Sequence, residues 1–160
     1  MAKIDVPVTN IGFNVLLGAY NTKPTDEDFL GDIKSADGIE YQVEKIKYAP
    51  VNLGGYASEV PTLKVGQATT IEIYMNDNYV KLHDKFHNND VSTAEFYCSL
   101  ALKYPKNDRN ANVPDYWYDG FISKIKQSGG TEAEAQYFTI EFTPTSAPMK
   151  METTETGEDE

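Results

Sequence analysis

Apolar positions along this chain recur mostly with a period of two, the spacing of strands that bury one face. Residues 11–20 (IGFNVLLGAY) place Phe13, Val15 and Leu17 in alternation and predict the first core strand. Residues 21–38 collect Pro, Asp, Gly, Ser and Asn and predict an exposed loop. In residues 39–48 the apolar side chains fall at Ile39, Tyr41 and Val43, then resume at Ile46 and Tyr48 after one extra position. A β-bulge near Glu44 and Lys45 accounts for that slip. Residues 49–66 hold two prolines and three glycines, too many for a central strand, yet carry Val51, Leu53, Tyr56, Val60 and Leu63. They predict a projecting arm with something to bind.

The second half repeats the pattern with one interruption. Residues 69–75 alternate, with Ile71, Ile73 and Met75 inward and Thr70, Glu72 and Tyr74 outward. Asn76, Asp77 and Asn78 are candidate helix caps, and Tyr79, Leu82, His83 and Phe86 form one stripe of a short helix ending near Asn88 and Asn89. Residues 95–104 return to period two through Phe96, Cys98, Leu100 and Leu102, and residues 105–114 read as a polar loop. Residues 116–125 and 136–142 predict a C-terminal hairpin joined across Gly129 and Gly130. The expected fold is mainly β: a β-sandwich or small β-barrel with one short helix packed on its side and a long projecting hairpin arm.

At 160 residues the chain is near the size of one ordinary domain. Residues 150–160 (KMETTETGEDE) have five acids, one base and nothing to bury, which reads as a disordered acidic tail behind a single domain over residues 1–149. The net charge is −11, and without the tail the body still carries −7. Arg109 is the only arginine, so a phosphate-gripping surface is not expected. No stretch approaches the ~18 apolar residues of a membrane span, and no export signal is evident at the N-terminus.

Candidate chemistry is sparse. His83 and His87 stand at i and i+4, but the zinc-protease pattern is missing and no third ligand is suggested. Cys98 lies on an alternating strand and reads as a small core residue. There is no P-loop, nucleophile elbow, dinucleotide fingerprint or calcium loop. Neither an enzyme nor a cofactor or metal is expected. Tyr104, Tyr116, Trp117, Tyr118 and Phe121 form an aromatic group that suits either a sugar platform or a protein interface. A carbohydrate-binding or adhesion module is therefore the alternative reading.

The order of elements, together with IGFNVLLGAY, VPTLKVGQATTIEIYMND, the helix NYVKLHDKFH and the ending YWYDGFISKIKQSGGTEAEAQYFTIEFTPTS, resembles the tail tube proteins of tailed bacteriophages. The likeness covers about residues 8–146. It implies a structural virion protein, made in the host cytoplasm, whose subunits form hexameric rings stacked into a tube. Its partners would be itself, other tail proteins and double-stranded DNA passing through without tight binding, with no membrane. A terminator or baseplate ring of similar fold is a further alternative.

Six-fold repetition would turn each lumen-facing acid into a negative ring that repels phosphate. Alternation makes Glu40, Gln42, Glu44 and Glu72 the lumen candidates, the alternative being ordinary solvated strand faces. Ring closure needs contacts between unlike surfaces, for which Val51, Leu53, Tyr56, Val60 and Leu63 are the inter-subunit candidates. The alternative is an arm folded back on its own domain. The loop over residues 21–38 and the segment up to Thr9 are the next candidates for contact between rings.

Overall fold

The computed structural model describes residues 14–48, 54, 58–106, 108–109, 111–129 and 135–151. The strands are β1 (Asn14–Ala19), β2 (Ile33–Ala36), β3 (Tyr41–Tyr48), β4 (Ser58–Gly66), β5 (Thr69–Tyr74), β6 (Tyr97–Lys103), β7 (Tyr116–Ser128), β8 (Tyr137–Pro144) and β9 (Met149–Lys150). One helix, α1 (Asn78–Asn88), follows β5. Seven strands form one antiparallel sheet in the order β1-β6-β7-β8-β5-β2, with β9 added on β7, while β3 and β4 form a separate hairpin. The large sheet curls into a half-barrel, so the fold is mainly β with one helix and a hairpin arm.

The curl follows from β7, which is 13 residues long and serves two halves of the sheet. Its first part, Tyr116–Phe121, pairs with β6, and its second, Gly120–Ser128, pairs with β8. The register slips between Ile122 and Lys124, leaving Ser123 as the extra residue of a bulge. The Ser123 hydroxyl lies 3.1 Å from both the Glu141 carbonyl and its carboxylate, and 3.0 Å from the Thr143 hydroxyl. A bulge sharpens the local twist, and here it turns the second half of the sheet over the first.

Inside the curl, Ile71, Ile73, Cys98, Leu100, Phe138, Ile140 and Phe142 are fully buried with Val15. Helix α1 closes the open side by burying Leu82, with Tyr79 and Phe86 packed against the same cluster. Just before its N-cap Asp77, the Asn76 side-chain oxygen accepts the Asn78 N–H at 2.8 Å. Burying these apolar side chains from both walls is the main favourable term in folding.

The first half of the sheet is covered on its second face too. Leu16, Ala101 and Trp117 are buried there beneath Met149 and Met151. Ser99 donates to the carbonyls of Ala19 and Thr22, and Asp119 accepts the Asn21 N–H at 2.9 Å. Asn21 holds the left-handed conformation (φ 61°) this turn needs, which asparagine tolerates better than most residues.

Two sequence readings change here. Residues 21–38 are not simply an exposed loop: Pro24 and Leu30 are buried, and β2 pairs with β5. Lys150 and Met151 belong to the body, because β9 pairs with β7 and the Met151 N–H donates to the Asp115 carbonyl. Residues 152–160 of the acidic tail lie outside the described residues, as do Phe13 and the segment up to Thr9.

At the bend, a Cβ on Gly120 would collide with the backbone carbonyl of Thr143. That oxygen sits beside the β7–β8 pairing and cannot retreat without breaking it. Gly120→Ala is expected to destabilise the protein by about 1–3 kcal/mol, measured by urea unfolding.

Candidate assembly interface

The arm is the hairpin of β3 and β4, paired from Tyr41 with Gly66 at the root to Tyr48 with Ser58 toward the tip. It starts at Tyr41, so most of the bulged strand predicted over residues 39–48 is half of the projection. Nearly every described residue along it is exposed, and it does not fold back on the domain. The register breaks between Glu44 and Lys45, where the pattern predicts it, but the extra residue is Thr62 on β4. The Thr62 hydroxyl donates to the Glu44 carbonyl at 2.9 Å and occupies a backbone group left free by the bulge. Pro61, which has no N–H to give the ladder, sits beside that irregularity.

Residues opposite each other in an antiparallel pair share a face. One face of the arm therefore carries Gln42, Glu44, Ile46 and Tyr48 with Val60, Leu63 and Val65. Ile46, Tyr48, Val60 and Leu63 are each 46–65% exposed, a contiguous apolar patch without cover. The opposite face carries Lys45, Lys47, Lys64 and Glu59, with a solvent-exposed Lys45–Glu59 ion pair at 3.0 Å. Such a pair contributes little stability. Val60 and Leu63 thus fall on one face, whereas Val51, Leu53 and Tyr56 lie outside the described residues. Ile46 and Tyr48, where the apolar alternation resumes after the bulge, complete the patch.

The four lumen candidates fall on two surfaces. Gln42 and Glu44 share the arm face, Glu40 lies just before β3, and the Gln42 amide donates to the Glu40 carboxylate at 3.3 Å. Glu44 is directly opposite Leu63, so acid and contact candidates adjoin. Glu72 is on the outer face of the main sheet, where it accepts from Ser35 at 2.8 Å and pairs with Lys34 at 3.4 Å. Lys34 also sits 4.5 Å over the Tyr137 ring. Lys124 and Lys126 stand on the same outer face, beside Glu141 and Thr139. That surface carries mixed charge, and the root of the arm is the more uniformly acidic of the two.

Other candidate chemistry does not converge. His83 and His87 stack with ring centres 4.4 Å apart, and no group of three potential metal ligands forms among the described residues. Burial pushes the Cys98 thiol up to about 12, which makes it unreactive. Trp117 is buried on the second face of the sheet, so the aromatic group does not form a flat exposed platform. No helix among the described residues is long and apolar enough to cross a membrane.

At the root the arm meets the end of β8 and the residues just after it. The Tyr41 hydroxyl donates to the Ser146 carbonyl at 2.7 Å, and its ring lies 6.3 Å from that of Tyr118. Gly66, opposite Tyr41, packs so closely on Pro144 that a Cβ would overlap the proline ring. Sequence reasoning did not single out Tyr41, Gly66 or Ser146, because nothing in a period-two pattern marks a contact 105 residues away.

No protein-family model matches the chain, and no curated protein sequence matches it. Solved structures do. The chain is similar to the tube-terminating cap of the anti-feeding prophage, with 13% identity, 94% of each chain covered and a TM-score of 0.62. It is similar to a chain of the PVC sheath–tube complex, an extracellular contractile injection system in its extended state, with 12% identity and a TM-score of 0.61. That match covers 91% of this chain and 92% of the other. A chain of the anti-feeding prophage baseplate matches at 9% identity and a TM-score of 0.64, over 96% of this chain and all of that one. The fold is a phage tail-tube-like fold.

Burial first, and the neighbouring Tyr118 phenol second, raise the Tyr41 pKa from 10.0 to about 12. The folded protein holds this proton more tightly than the unfolded chain does. The resulting stabilisation is complete below pH ~10 and is lost as pH rises through ~12. Between those values the unfolding midpoint of the wild type is expected to fall more steeply than that of Tyr41→Phe, measured by thermal circular dichroism.

Proposed function

We propose that this protein is a structural tail tube subunit that assembles with itself into stacked hexameric rings around a conduit for DNA. The observation that carries this reading is the arm: a projecting hairpin whose apolar face has no cover on its own domain. Ile46, Tyr48, Val60 and Leu63, with Val51, Leu53 and Tyr56 between the two strands in sequence, pack against a neighbouring subunit. Because the arm and its seat are different surfaces, the contact is heterologous, the kind that closes rings or extends them. The likeness in fold to tube, terminator and baseplate proteins supports the same class of role.

The acidic positions divide along the arm. Toward the tip, Ile46, Tyr48 and Val60 need burial, whereas Glu40, Gln42 and Glu44 at the root can stay hydrated and face the channel. Neither Glu40 nor Glu44 has a basic partner among the described residues. Six copies would set a dozen unneutralised carboxylates around the channel, enough to keep phosphate from adhering. Glu72, neutralised by Lys34, contributes less to that lining. The work is mechanical and needs no enzyme activity, cofactor or metal.

A second reading is a ring that ends a tube instead of extending it, favoured by the likeness to a tube-terminating cap. Negative-stain electron microscopy of the purified chain separates the outcomes. Tubes are expected; isolated rings support the terminator, and a monomer at every concentration and salt tested overturns both readings. The double variant Ile46→Glu, Leu63→Glu is expected to keep its unfolding midpoint and to lose assembly altogether, read by sedimentation velocity. Normal tubes from it would remove the arm from the interface.

A further inference from the structure

The arm's aim is fixed at two points on the same segment. Tyr41 on β3 donates to the Ser146 carbonyl, and Gly66 on β4 sits on Pro144. That segment is itself tied to the main sheet. The Thr145 N–H donates to the Asp119 carbonyl at 2.7 Å, and the Asp119 N–H donates to the Ser146 hydroxyl at 3.2 Å. The hairpin is closed at its base by the Gln67 N–H donating to the Glu40 carbonyl at 2.8 Å. Above the root, the described hydrogen bonds and ion pair of the arm stay within the arm.

Packing alone would not hold this angle. Beside the root runs a groove of about 710 Å³ lined by Tyr41, Val65, Gly66, Pro144, Ala147 and Pro148, which leaves space for the arm to tilt. Tyr48 lies roughly 23 Å beyond Tyr41 at about 3.3 Å per residue. A tilt of about 10° moves the tip by about 4 Å, the whole reach of an apolar contact. A misaimed tip cannot seat.

We propose that Tyr41, with its hydrogen bond to Ser146 and the opposing Gly66–Pro144 contact, is a clamp that aims the arm before assembly. This rests on the reading that the arm is the assembly contact. The clamp lowers the cost of ordering the arm at the moment of docking, which is preorganisation. Tyr41 is a positioning residue and touches no partner.

The test compares wild type with Tyr41→Phe, which removes one hydroxyl. Spin labels at Lys47→Cys near the tip and Lys126→Cys on β7 report the arm's angle by pulsed electron resonance. The labels are placed in the Ile46→Glu, Leu63→Glu background, which keeps the chain monomeric. The buried Cys98 does not compete for label. The expected result is a narrow distance distribution when Tyr41 is intact and a broad one in the Tyr41→Phe variant. In the otherwise unmodified chain, Tyr41→Phe is expected to raise the concentration needed for tubes about three- to tenfold while the unfolding midpoint at pH 7 stays within a few degrees. An equally narrow distribution, or an unchanged assembly threshold, overturns the clamp. Assembly by the tip-charged variant without labels would instead overturn the arm as the contact, so the two failures are distinguishable.

Discussion

The bend in β7 is the constraint on which the rest of this molecule depends. One strand of 13 residues pairs with β6 along its first part and with β8 along its second, and the bulge at Ser123 lets it change direction between them. Had β7 stayed straight, the apolar faces of β5, β8 and β6 would lie in one plane, and α1 could cover only part of them. Bent, the sheet encloses Phe138, Ile140 and Phe142 from one side and Leu100 from the other. The close passage of Gly120 past Thr143 follows from the same turn.

That geometry also decides what is left over. The second face of β1, β6 and early β7 is taken by the chain's own turn near Asn21 and by β9 with Met151. Both faces of that half are thus in use, and the described residues of β3 and β4 keep their apolar side exposed. An uncovered patch formed by a hairpin has two outcomes, aggregation or a specific partner. The charged opposite face, with Lys45, Lys47 and Lys64, limits which surfaces can approach and in which orientation.

Much of this was legible in the residue pattern. The alternation in residues 69–75 and 95–104 located β5 and β6 and their buried side chains, and the stripe from Tyr79 to Phe86 located α1. The slip at Glu44 and Lys45 marked a real bulge, although the inserted residue is Thr62 across the ladder. A period tells which residues share a face; it does not tell whether that face meets the core or projects from it. Ile46 and Tyr48 continue the apolar alternation and yet stand exposed. The strand β2 was hidden among turn residues because four positions with a register break make too short a pattern to register. The contact at Tyr41 was invisible for a different reason: it joins distant parts of the chain through a single hydroxyl and a missing side chain.

The arm is one-sided: among the described residues, β3 and β4 are the one hairpin that stands apart from the main sheet. On the proposed reading, in which the arm docks on a different surface of the next copy, the assembly would have unlike ends, one presenting free hairpins and the other the surfaces that receive them. Growth is then vectorial, and a plug that stops one end has no purchase on the other. Directionality of this kind would need no external template, because it would follow from two unlike surfaces on one subunit.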